Sequence, residues 1–263
     1  MLLVIDIGNT NTVIGIYDKE NLKSRFRVAT DLTSTSDQLV ATLFNMFMIH
    51  DIKVEDIDDT IISCVVPDVL YNWQSANRKL LDKEAKVVEY DTYTGITIDY
   101  ENPSEVGADR IVDAVAAYEK YGGPSVVVDM GTAITVDVVT SDARYLGGVI
   151  APGIKIAQDG LFGKTAKLPK IELKQPTTAI TESTSEAINA GIVIGYIGMI
   201  DKLIETIEDE IVQRLGIDRD EINVIATGGF SELISQSSKY IETIEPDLML
   251  EGLRIIYERN RGR

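Results

Sequence analysis

Leu2-Leu3-Val4-Ile5-Asp6-Ile7-Gly8-Asn9-Thr10, running on into Asn11-Thr12-Val13-Ile14, has a second version in the same chain. It is Ser125-Val126-Val127-Val128-Asp129-Met130-Gly131-Thr132-Ala133, running on into Ile134-Thr135-Val136-Asp137. When Asp6 is laid on Asp129, Gly8 falls on Gly131, Thr12 on Thr135 and Val13 on Val136. Each version reads as a buried apolar strand, an Asp at its end, a Gly turn and an alternating strand. Such a repeat at half the chain length points to one fold doubled. It is expected to bring two carboxylates and two phosphate-sized turns to face one cleft.

Around these anchors the first half reads as βββαβαβ. Strands are expected at 2–7, 11–17, Phe26 to Ala29, Thr60 to Val66 and Ala85 to Glu89. Helices are expected from Ser36, with Leu39, Leu43, Phe44, Phe47 and Met48 on one face, and from Asp68 to Leu81. Tyr121-Gly122-Gly123-Pro124 is the strongest punctuation in the chain. It divides the sequence into domains 1–121 and 122–263. The second half reads as βββααβαβα. Its strands fall at 125–129, 133–140, 145–151, Ile222 to Ala226 and near Tyr240 to Ile241. A long helix from about Ser185 to Leu215 is expected to kink near Gly191, Gly195 or Gly198. A last helix starts at Pro246.

Composition narrows the function. The 263 residues carry 42 acidic and 25 basic side chains, a net charge of −17, which disfavours nucleic acid and anionic membranes as partners. No apolar run is read as long enough to span a membrane. The sequence opens on a strand without a basic leader or a small-residue cleavage site, so secretion is not expected. Cys64 is the single cysteine, so no internal disulfide can form, in keeping with a cytoplasmic protein; it is expected in the core. His50 is the single histidine and reads as a helix-end residue.

Three regions have the letters of a chemical site. Asp6 with Gly8-Asn9-Thr10 fits a turn whose N–H groups cradle phosphate, and fits equally a hairpin with a capping Asp. Gly107-Ala108-Asp109-Arg110 opens a helix, where anions are favoured. Arg110 can fork onto a carboxylate and Asp109 can accept a hydroxyl proton, or the two can form an ordinary surface pair. Gly147-Gly148-Val149-Ile150-Ala151-Pro152-Gly153 suits either a pocket floor or tight packing. Thr227-Gly228-Gly229 stands where an adenosine could lie. Gly163-Lys164-Thr165 looks like the tail of a P-loop, but position 158 is Gln158 where that motif needs glycine.

Together these runs, with Thr165-Ala166-Lys167-Leu168-Pro169, resemble the type III pantothenate kinases of the actin–hexokinase–acetate kinase superfamily. The resemblance implies an α/β fold of two actin-like (ribonuclease H-like) βββαβαβα domains. It implies ATP-dependent phosphorylation of the primary hydroxyl of pantothenate, the first step toward coenzyme A. By resemblance, Asp6, Ile7, Gly8, Asn9, Thr10, Asn11, Thr12 and Val13 line the ATP phosphates, and Asp6 handles the Mg²⁺–phosphate complex. Thr132 touches ATP. Gly107, Ala108, Asp109 and Arg110 hold pantothenate with Asp109 as general base, and Tyr100 and Thr184 complete the pocket. Asp129 binds potassium or ammonium. The family is homodimeric, and Thr184 is expected to act across the subunit interface. A phosphohydrolase of the same superfamily, using water as acceptor, and a non-catalytic nucleotide-dependent scaffold are the competing readings. The carboxylate-binding run 107–110 argues against the first, and the retained Asp109 against the second.

Overall fold

A computed structural model describes residues 1–165 and 168–262. Ala166 and Lys167 of the Thr165–Pro169 run, and Arg263 of the basic tail, lie outside the described residues. In chain order the elements are β1 (Leu2–Ile7), β2 (Asn11–Asp18), β3 (Asn21–Ala29), α1 (Ser36–Ile49), β4 (Asp59–Cys64) and α2 (Pro67–Leu81). Then come β5 (Lys86–Val87), β6 (Thr97–Ile98), α3 (Ala108–Tyr121), β7 (Ser125–Met130), β8 (Ala133–Val139) and β9 (Arg144–Pro152). The chain ends with α4 (Ile154–Gly163), α5 (Thr184–Leu215), β10 (Asn223–Thr227), α6 (Ser231–Ser235), β11 (Thr243–Ile244) and α7 (Leu248–Arg259). They form two compact units, Met1–Ala116 with Leu248–Arg263, and Ala117–Asp247.

The first unit is built on a sheet of order β3-β2-β1-β4-β5. β1 pairs antiparallel with β2 and parallel with β4. β1 is apolar on both faces, as a strand covered on both sides must be. Leu3, Ile5 and Ile7 point into a core shared with Leu43 and Phe47 of α1 and Val69 and Trp73 of α2. α1 starts on a capping box between Thr35 and Gln38, and α2 starts on Pro67, whose missing N–H costs nothing at a first helical position. The last helix, α7, belongs to this unit. Its Gly252 lies so close to Val112 O of α3 that no Cβ would fit. Its Tyr257 hydroxyl bonds the Asp59 carboxylate at 3.0 Å.

The second unit repeats the plan, with sheet order β11-β10-β7-β8-β9. β7 pairs antiparallel with β8 and parallel with β10. Ile200, Ile204 and Ile211 of α5 join Val126, Val128, Val136 and Val138 in its core. Two sheets with the same strand directions and crossovers establish the doubled α/β fold expected from the repeated lettering.

Several expectations are corrected. The two hairpins are not in the same register. Asp6 pairs with Val13, but Asp129 pairs with Thr135, so the second turn is one residue shorter. A one-residue slip reverses the face of every later side chain. The counterpart of buried Thr12 is therefore Ile134, while Thr135 takes the half-buried place of Val13. β3 begins at Asn21, five positions before the expected Phe26, because its alternating polar residues suit an edge strand. Phe44 and Met48, placed on the buried face of α1, are exposed. The last helix packs with the first unit, where the sequence reading ran the C-terminal domain on to residue 263. α5 is one continuous helix of 32 residues through Gly191, Gly195 and Gly198. By length and composition part of it could cross a membrane, contrary to the sequence reading. Its isoleucines in the core of the second unit give that apolarity a packing role. His50 caps the end of α1, exposed, with its ring stacked on Phe26 at 5.6 Å.

Candidate active site

In the first unit, Asp6 and the Gly8–Thr10 turn sit at the carboxyl end of β1. In open α/β sheets this is the end at which ligands bind. Asp6 is half-buried, Asn9 and Thr10 are exposed, and Thr12 is fully buried. Gly8 N donates to Asn11 O at 3.1 Å and closes the turn. Thr30, just past the end of β3, ties the turn from the other side. Its hydroxyl donates to Gly8 O at 2.7 Å, and its N–H donates to Thr10 O at 3.0 Å. Thr30 was not singled out from the sequence. The repeated lettering covers β1, the turn and β2, and nothing in a lone threonine ending β3 signals the contact.

The start of α3 is brought to the same end of this sheet. Val65 N donates to Ile7 O at 3.0 Å, immediately beyond β4. A Cβ on Gly107 would lie 3.9 Å from the Val65 side chain. Asp6 with its turn and the Gly107–Arg110 run thus share one edge of one unit. The same Cβ would lie 2.5 Å from Asp109 Oδ1, so the absent side chain at 107 makes room for the Asp109 carboxylate. Asp109 Oδ1 accepts from Arg110 N at 2.8 Å, which fixes the carboxylate over the first turn of α3. Arg110 is buried to 9% exposure, and its rigid fork of donors is suited to a carboxylate ligand. Tyr100 belongs to the same unit and is exposed. Cys64 ends β4 opposite Ile7. Its thiol exchanges hydrogen bonds with the Val66 backbone. Burial pushes that thiol up, and the nearby Asp6 charge adds to the effect.

In the second unit, Asp129 lies at the matching end of β7, with glycines on both sides of its carboxylate. Gly228, at φ +89°, follows β10. A Cβ there would stand 2.5 Å from Asp129 Oδ1 and 2.6 Å from Met130 N. Only glycine meets both the conformation and the approach. A Cβ on Gly131 would stand 3.2 Å from Asp129 Oδ2. Ser231 holds the Gly228 carbonyl with its hydroxyl at 2.8 Å. Gly153 is pressed against Thr132 O, leaving no room for a Cβ. The Tyr196 hydroxyl of α5 donates to Pro152 O at 3.0 Å and secures that strand end, and burial pushes the phenol up. Gly148 abuts Val136 O of β8 in the same manner, so tight packing is the role the structure gives it. Thr184 opens α5 in this unit and is exposed.

Gly163-Lys164-Thr165 occurs at the C-terminal end of α4, where the helix dipole repels phosphate. The P-loop resemblance is therefore coincidental. Among the described residues no group of three or more His, Cys, Asp or Glu could cage a metal ion. Mg²⁺ keeps several waters and is commonly held by one or two carboxylates plus substrate phosphates. Asp6, half-buried beside an exposed turn, is a fitting carboxylate for that arrangement.

The doubled sheet with an acidic turn in each copy defines the actin-like class that includes ATPases and sugar kinases. A Campylobacter jejuni protein classed with the Baf transcriptional activators superposes with a TM-score of 0.59 at 20% identity, covering 99% of this chain and 100% of that one. A Sinorhizobium meliloti protein classed as a 2-dehydro-3-deoxygalactonokinase superposes at 0.56 with 13% identity over the whole of both chains. These two show the shared fold. The family model for type III pantothenate kinase matches residues 2–206. The type III pantothenate kinase of Finegoldia magna is 46% identical over 262 residues, covering 100% of this chain and 98% of that protein. The chain belongs to the type III pantothenate kinase family, and is accordingly a kinase.

Proposed function

We propose that this chain phosphorylates the primary hydroxyl of pantothenate with ATP, that Asp109 is the general base, and that the reaction requires a monovalent cation. The observation that supports the roles of Asp6 and Asp109 is the placement of Asp6, its turn and the Gly107–Arg110 run at the same strand end of the first unit's sheet. Phosphoryl transfer asks chiefly for positioning and charge neutralisation, with a base to take the alcohol proton as it attacks. Asp109 takes that proton. Arg110 binds the carboxylate of pantothenate and fixes the acceptor end to end, with Gly107, Ala108 and Tyr100 beside it and Thr184 reaching the pocket from a neighbouring subunit.

Asp6 and the residues through Val13 receive the phosphates, and Thr132 contacts the nucleotide. With a net charge of −17 the chain opposes a polyphosphate at long range. Bound Mg²⁺ supplies the local positive charge that offsets this, held through Asp6. Asp129 is assigned to potassium or ammonium. Glycine at 228 and 131 leaves the room its two oxygens occupy, and oxygen is the ligand such an ion takes. A homodimer in the cytoplasm completes the proposal. The homodimer follows the family resemblance, and the cytoplasm is supported by the single cysteine.

An acceptor panel tests it. ATP consumption is measured with pantothenate and with other hydroxy acids, in sodium buffer and with added potassium or ammonium. Turnover is expected with pantothenate, and only when potassium or ammonium is present. Equal turnover with every hydroxy acid would remove pantothenate as the selected acceptor, and equal turnover with the alcohol analogue that lacks the carboxylate would remove Arg110 as its binding group. Full activity in sodium would remove the requirement for potassium or ammonium.

A further inference from the structure

We propose that Thr30 is a positioning residue that aims the phosphate-binding turn, an inference resting on the assignment of the Asp6–Thr10 turn to the phosphates. The support is a directional chain of hydrogen bonds. Thr30 has one hydroxyl proton, and the Gly8 carbonyl can only accept, so the 2.7 Å contact uses that proton. The 3.0 Å contact between the Thr30 and Thr12 hydroxyls must then run from Thr12 to Thr30. Thr12 is fully buried, and the relay satisfies its hydroxyl inside the sheet.

The consequence falls on the next peptide. In a planar trans peptide the carbonyl and the following N–H point in opposite directions. Holding Gly8 O toward Thr30 therefore turns the N–H of Asn9 away from it, at a residue whose side chain is exposed. An N–H so fixed is a preoriented donor for an anion. The second bond from Thr30, N–H to Thr10 O at 3.0 Å, closes the other end of the same turn. Without the hydroxyl, the Gly8–Asn9 peptide loses the contact that sets its direction. At the position that matches Thr30 the second unit carries Gly153, a residue without a hydroxyl. Gly153, directly after the corresponding strand β9, meets its turn through backbone packed on Thr132 O. The turn that is asked to bind phosphates is thus the one with a hydrogen-bonded adjuster.

The test uses the full chain with Mg²⁺ and the β,γ-imido analogue of ATP in calorimetry, together with steady-state kinetics and thermal melts. Thr30→Val is expected to weaken analogue binding about three- to tenfold, the span of one ordinary hydrogen bond. The KM for ATP should rise with it, and the KM for pantothenate should stay unchanged. Thr30→Ser keeps the hydroxyl and should bind within about twofold of the parent. Unaltered binding in Thr30→Val, or an equal loss in Thr30→Ser, would overturn the assignment. Asp6→Asn separates the two levels. If Asp6→Asn weakens binding and Thr30→Val does not, only Thr30 is wrong. If neither weakens it, the phosphate turn itself is wrong.

Discussion

Asp109→Asn is expected to lower kcat by at least about 10²-fold, the lower bound of what a positioned general base contributes. That corresponds to about 2.7 kcal/mol of barrier. The substitution preserves shape and the possibility of accepting from Arg110 N at the same position, so the start of α3 should be undisturbed. Binding of ATP should be retained, because the proposed phosphate turn lies on β1 and β2 and not on α3. Single-turnover rates with saturating pantothenate and ATP, alongside calorimetric ATP affinity, separate the two quantities. A rate within a few-fold of the parent would remove Asp109 as the base. Weakened ATP binding with the chemical rate preserved would relocate its role to the nucleotide.

Asp129→Ala carries the second large effect. Loss of this carboxylate should abolish stimulation by potassium and ammonium and reduce turnover by about 10²-fold, the order associated with removing one preorganised charge-stabilising group. The flanking contacts at Gly228 and Gly131 only loosen when the side chain is shortened, so the fold of the second unit should survive. A potassium titration of initial rate in the variant is the readout, with a melting curve to establish folding. Potassium activation of undiminished amplitude would refute the assignment of the cation to Asp129.

Much of the architecture was legible because the two strand–Asp–Gly stretches are local patterns. A fully apolar strand, a glycine turn and an alternating strand each announce themselves in adjacent letters. What escaped was non-local. The one-residue difference between the hairpins is invisible when Asp6 is laid on Asp129, since Thr12 and Thr135 match as letters while their side chains occupy opposite faces. The return of α7 to the first unit depends on Gly252 meeting Val112 and Tyr257 meeting Asp59, contacts between residues far apart in sequence. At the site, Asp6, Asp109 and Asp129 could be nominated from residue type and position. Their supports could not. Thr30 reaches the turn from a strand end, and Gly228 is required by a contact with a strand almost a hundred residues earlier.

The reaction itself is tested most directly by a product balance. The enzyme is incubated with ATP, Mg²⁺ and potassium, with and without pantothenate, and ADP, inorganic phosphate and phosphorylated pantothenate are quantified. The expected result is ADP and phosphorylated pantothenate in equal amounts, with little ADP formed when the acceptor is left out. Inorganic phosphate released in step with ADP, with pantothenate recovered unchanged, would contradict transfer to the alcohol and point to water as the acceptor.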